Sequence, residues 1–96
     1  MRFVWDPEKD EINVRKHYIS FTQSCYVFSD PYSLTLFDES HSEHEDRWVT
    51  LGQIQDETIV VVVHTFRDLE NDEVVRIVSA RRATRRERQR YQARRK

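Results

Sequence analysis

The run Ile59-Val60-Val61-Val62-Val63 limits most what this chain can become. β-branched residues suit a strand better than a helix. Successive strand side chains point to opposite faces, so four valines in a row demand apolar cover on both sides of a sheet. A chain of 96 residues can provide that only with one thin core, a single sheet and a few helices. The central strand is therefore placed at 58–66, inside one domain covering 1–96.

The flanking segments supply the other elements. Residues 2–5 read as a short strand. Asp6-Pro7 opens a helix, with Asp as N-cap and Pro at the first helical position, and the helix should run to about His17. Ser20 with Gln23 forms a capping box for a second helix. Its face carries Phe21, Ser24, Cys25 and Phe28, and Asp30-Pro31 ends it. Residues 32–37 and 47–55 read as strands on either side of an acidic loop. Gln55-Asp56-Glu57 is a hairpin turn, and a polar turn at 68–72 leads to a last strand at 73–79. Thr84 with Glu87 makes another capping box, for a basic C-terminal helix at about 83–95. The predicted order is β-α-α-β-β-β-β-α. This is an α+β domain with two N-terminal helices and one C-terminal helix on a mainly antiparallel sheet. The last helix offers little apolar surface beyond Ala83, Tyr91 and Ala93, so hydrophobic burial alone cannot hold it.

Charge is unevenly divided. Residues 1–75 carry 6 Lys/Arg against 16 Asp/Glu, and residues 76–96 carry 10 against 1, within a net charge of −1. A basic end on an acidic body points to an anionic partner, most often nucleic acid. Two other readings stand beside it: the basic helix folds onto the acidic body, or the acidic face takes a basic protein. The single cysteine, Cys25, allows no internal disulfide and fits a reducing compartment. No apolar run approaches the roughly 20 residues of a membrane helix, and the first residues lack a signal-peptide pattern. A cytoplasmic protein without membrane association is expected.

Several chemistries are disfavoured. Gly52 is the only glycine, so a phosphate-binding P-loop is excluded. His41 and His44 lie in an acidic loop without the helical spacing of a zinc peptidase. With one cysteine there is no thiolate cluster, and no metal or cofactor is expected. Arginine dominates the basic end, at Arg81, Arg82, Arg85, Arg86, Arg88 and Arg90. Its planar fork suits phosphate, although a solvated helix face would look the same. Arg81 stands where strand gives way to helix and could overhang the sheet. Arg67 ends the valine strand and Arg76 lies inside the next. His64 follows Val60 and Val62 on one face, either as a core histidine or as an acid/base group. His17 sits beside Lys16 at a helix C-terminus, where the dipole favours cations. Trp48 and Tyr91 could be core residues or platforms for a base.

In combination these segments resemble the BrnT toxin family over almost the whole chain. The resemblance is carried by Phe3-Val4-Trp5-Asp6-Pro7 with Lys9 and Asn13, Lys16-His17, Ser20-Phe21, Val27-Phe28 and Asp30-Pro31. It continues through His41-Ser42-Glu43, Glu45-Asp46-Arg47-Trp48, Gly52, Val61-Val62-Val63-His64-Thr65 and Arg67. It closes on Arg76-Ile77-Val78-Ser79-Ala80-Arg81, Ala83-Thr84, Glu87 and Tyr91. Tyr18 departs from the family pattern, which has glycine after Lys-His. The resemblance implies a RelE-like fold and a toxin that inhibits translation and growth by cutting RNA without a metal. It also implies a BrnA-like ribbon-helix-helix antitoxin and operator DNA bound only through the toxin–antitoxin complex.

Metal-free cleavage uses the RNA 2′-hydroxyl as nucleophile, and needs a base, an acid and positive charge on the phosphate. On this view the catalytic candidates are Lys16, His17, Glu45, His64, Arg67 and Arg81. His64 or His17 would exchange protons, Arg67 and Arg81 would hold phosphate, and Glu45 would orient a base or an arginine. Trp48, Arg76, Arg82, Arg85 and Tyr91 are candidates for RNA binding. The alternative is a degenerate toxin: a non-catalytic domain that binds nucleic acid or protein.

Overall fold

The computed structural model describes all of residues 1–96. Strands β1 (Arg2–Val4), β2 (Leu34–Phe37), β3 (Trp48–Gln53), β4 (Ile59–Leu69) and β5 (Asp72–Arg82) form one sheet in the order β1-β5-β4-β3-β2. Only the β1–β5 pair is parallel. Helix α1 (Pro7–His17) follows β1. Helix α2 (Phe21–Ser24) runs into a 3-10 turn over Cys25–Ser29, and α3 (Arg85–Arg95) ends the chain. The element order is the predicted one. β4 runs on to Leu69, past the expected 66, and β5 opens at Asp72, because Glu70 and Asn71 both take left-handed φ, 51° and 65°. Such a two-residue turn follows the strand twist and lets the ladder close as far as Leu69 and Asp72. At its other end β5 runs past the expected 79 to Arg82, which pairs with Val60.

The valine strand is covered on both sides, as its sequence requires. On the front face Val60 and Val62 pack with Ile19, Phe21, Val27, Ile54, Val75, Ile77 and Ala80. On the back face Ile59 and Val61 pack with Leu51, Ala83 and Tyr91. Gly52 on β3 lies so close to the 3-10 turn that an added Cβ would sit 3.1 Å from the Val27 Cβ and 3.2 Å from the Ser33 Cβ. This close approach sets Asp30 against β3, where its Oδ2 accepts from the Gln53 N–H at 2.8 Å.

Helix α1 begins as read: the Asp6 side chain accepts from the Glu8 N–H at 2.9 Å, with Pro7 at the first position. It ends without glycine. Tyr18 itself takes the left-handed conformation, φ 59° and ψ 28°, and donates its N–H to the Val14 carbonyl. That conformation costs about 1–2 kcal/mol for a residue with a Cβ. The one buried side chain of α1 is Asn13. It donates to the Ile19 carbonyl at 2.8 Å and accepts from the Ala80 N–H at 3.0 Å. β1 pairs only with residues 74–76 of β5. Asn13 thus satisfies a backbone donor on the part of β5 that β1 does not reach.

Helix α3 is fastened by polar contacts around one anchor. Tyr91 is 1% exposed, and its hydroxyl donates to Asp30 Oδ2 at 2.5 Å. Arg94 donates to the Tyr32 and Ser33 carbonyls, and Arg95 donates to Gln53 Oε1. The Thr84–Glu87 capping box forms in full, as does that of Ser20 and Gln23.

Candidate functional site

One residue of β5, Val78, decides on which face the arginines lie. Val63 pairs with Ser79 and His64 with Ile77, so Val78 is bulged out of the ladder. A bulge resets the alternation of the strand that carries it. By plain alternation Arg76 and Arg81 would lie on opposite faces. With the bulge Arg76 is opposite Thr65 and Arg81 opposite Val61, and both face the back. Arg67, opposite Val74, faces the same way. At ~3.4 Å per residue, Arg76 stands roughly 13 Å and Arg67 roughly 20 Å from Arg81 along the strand. Arg67 and Arg81, both offered above for phosphate, thus share a face but stand well apart along it.

The C-terminal end of β5 meets the C-terminus of α1. There Lys16, His17, Tyr18, Arg81, Arg82 and Thr84 line a cleft of about 410 Å³. Arg81 and Arg82 alternate to the two sides of β5, so they flank the edge of the strand that β1 leaves open. Arg81 is locked in place: its Nη1 and Nη2 donate to the two Glu87 carboxylate oxygens at 2.8 and 3.0 Å. These hydrogen bonds hold Glu87 down at about 2 and raise the Arg81 guanidinium above its ordinary value. A guanidinium carries five N–H donors. An end-on grip through Nη1 and Nη2 therefore leaves the Nε side of the fork for a further anion. Neither Lys16 nor Arg82 is paired with a carboxylate.

Glu45 is ion-paired with Arg76 through Oε1 and Nη2, above the back face. This contact joins the acidic loop to β5. The loop also holds His41, whose Nδ1 lies 2.9 Å from Asp38 Oδ2. No three His, Cys, Asp or Glu side chains gather where they could hold a metal ion.

Four candidates lie elsewhere. His64 is 0% exposed on the front face, opposite to Arg67. Its Nε2 is 2.7 Å from Thr50 Oγ1, its Nδ1 has no partner, and Phe28 and Phe66 meet its ring edge-on. Burial pushes its pKa down to about 4, so the ring is neutral at physiological pH. It fills the core, shut off from solvent. Tyr91, taken above as a possible base platform, is instead the buried anchor of α3, and burial raises its phenol to about 12. Trp48 pairs with His64 on the front face and packs edge-on against Phe37 and Phe66, on the side of the sheet away from Arg67, Arg76 and Arg81. Arg85 is exposed on α3, beside Arg88, Gln89 and Gln92.

Sequence reasoning missed Glu87 as the partner of Arg81, because a capping box already accounted for it. It also missed Tyr18 as a cleft residue.

A family model described as the ribonuclease toxin BrnT of type II toxin–antitoxin systems matches residues 5–87. No curated protein matches the chain. Among solved structures, the 1.1 Å crystal structure of the ribonuclease toxin BrnT of Brucella abortus superposes with a TM-score of 0.64 at 21% identity, covering 88% of this chain and 99% of that one. At that identity the likeness speaks for the fold, and the three helices on a five-stranded, mostly antiparallel sheet agree with it. The family match spans most of the chain, and the chain belongs to the BrnT family of type II toxin–antitoxin systems.

Proposed function

We propose that this chain is a metal-independent endoribonuclease, the toxin of its pair, which cuts RNA and so stops translation and growth. The observation that supports this best is the cleft where Lys16, His17, Arg81 and Arg82 converge. In the reaction the 2′-oxygen attacks the adjacent phosphorus and the bond to the 5′-oxygen breaks. The products are a 2′,3′-cyclic phosphate and a 5′-hydroxyl. Imidazole exchanges protons readily near neutral pH, which suits His17 to take the 2′-hydroxyl proton. The Lys16 ammonium is a donor for the departing oxygen. Arg81, held by Glu87, presents its free fork to the phosphate as negative charge builds, at no cost in reorganisation. Arg76 with Glu45, and beyond them Arg67, continue the same face and would meet flanking phosphates of an extended strand.

A BrnA-like ribbon-helix-helix antitoxin would cover this face in the cytoplasm, and operator DNA would be bound only by the complex. The test uses folded, antitoxin-free protein, total RNA and excess chelator. Fragments ending in 2′,3′-cyclic phosphate are expected from the wild type. Arg81→Ala should slow their release by roughly 10²–10³-fold, the usual effect of losing one transition-state donor. Intact RNA with folded wild-type protein would sink free-RNA cleavage.

A further inference from the structure

Tyr18 occupies a costly position for no structural return. Its left-handed backbone, φ 59°, is the conformation glycine adopts most readily. Its side chain is 79% exposed, so the ring contributes little to the core. Yet it lines the cleft together with Lys16, His17, Arg81 and Arg82. Lys16 and Arg82 have no carboxylate partner there, and Arg81 keeps one side of its fork free.

Resting on the ribonuclease reading, we infer that the cleft is a subsite for one nucleotide of single-stranded RNA, with Tyr18 as the platform for its base and Lys16 and Arg82 as the grip on its phosphate. The chemistry is that of single-strand binding: a flat aromatic face stacks on any base while adjoining cations follow the backbone. The helix end fixes the backbone that carries the ring, so stacking has only the two side-chain torsions of a tyrosine to order. The phosphate lies beside the free fork of Arg81, so a base seated on Tyr18 places its sugar–phosphate link at the reacting end of the cleft. Stacking recognises the π-face rather than base edges, so the subsite selects unpaired RNA and tolerates sequence.

The experiment measures binding of a fluorescent, uncleavable 2′-O-methyl octanucleotide by anisotropy, alongside thermal melting and the RNA digestion above. Tyr18→Gly should melt higher than the wild type, because the backbone strain is relieved, yet bind about tenfold or more weakly, as loss of one base–aromatic stack gives. Tyr18→Phe should bind like the wild type. Tyr26→Ala removes an exposed tyrosine outside the cleft and should change nothing. Affinity that is unchanged in Tyr18→Gly, or equally lost in Tyr26→Ala, overturns the platform. Wild-type protein that does not bind the oligonucleotide at all overturns the subsite and assigns the exposed ring to a protein partner. Binding that depends on Tyr18 in a protein that leaves RNA intact would keep the subsite and remove the ribonuclease. Cleavage that is indifferent to Tyr18, with unchanged binding, would do the reverse.

Discussion

The two faces of the sheet are closed by different forces. The front face is covered by α1, α2 and the 3-10 turn over a broad apolar cluster, and a few polar side chains, Asn13, Ser24, Thr50 and His64, are buried with it. The back face has a smaller cluster beneath α3. That helix is held by Tyr91 and by arginines reaching to backbone carbonyls and to Gln53. Apolar burial closes a surface and leaves little for a ligand. Arginine fastening keeps charge at the surface, so the same residue type can hold α3 at one end and present forks for phosphate at the other. Part of the basic helix is spent on the fold, and part stays free.

Removing the anchor of the back face should have the largest effect. Tyr91→Ala should cost about 3–5 kcal/mol in urea unfolding, the range for deleting a buried aromatic. A cost under about 1 kcal/mol would mean that the arginine contacts alone hold α3.

The front face should depend on its buried polar side chains. Asn13→Ala leaves the Ala80 N–H and the Ile19 carbonyl without partners and should cost about 2–4 kcal/mol. An effect near zero would show that apolar packing alone fixes α1.

His64 adds a pH signature to the front face. Its folded value, lowered by burial to about 4 from 6.5, gives stability that is present above pH 6.5 and lost as pH falls through about 4. The loss is at most about 3 kcal/mol, read from urea melts between pH 7 and 4, and His64→Leu should flatten it. Glu87 titrates lower, near 2, so its loss falls in a separate window.

The smallest effect is a gain. Tyr18→Gly should stabilise by about 1 kcal/mol through relief of the left-handed strain, measured as a higher midpoint at unchanged slope. A loss instead would mean that the Tyr18 ring packs in solution.

What could be read directly was local. Asp6-Pro7, Ser20 with Gln23, and Thr84 with Glu87 each place donor and acceptor within three residues, so their caps form wherever the chain goes next. Strict alternation through β4 was enough to put His64 and Arg67 on opposite sides. The site was less legible, because its parts are brought together over long separations. Asp30 looked like a helix stop and is the acceptor for Tyr91, 61 residues later. Asn13 looked like a polar helix residue and satisfies Ala80, 67 residues later.

The sequence by itself determined the two-sided strand, the helix ends and the unequal charge, because β-branching, capping and composition act within a turn or a strand. Only the tertiary structure decided that Val78 leaves the ladder. That one unpaired residue turns Arg81 to the side of Arg76, and the C-terminus of α1 beside it brings Lys16, His17 and Tyr18 to the same cleft. A bulge is set by which residues two strands pair, and pairing is a property of the whole sheet rather than of either strand.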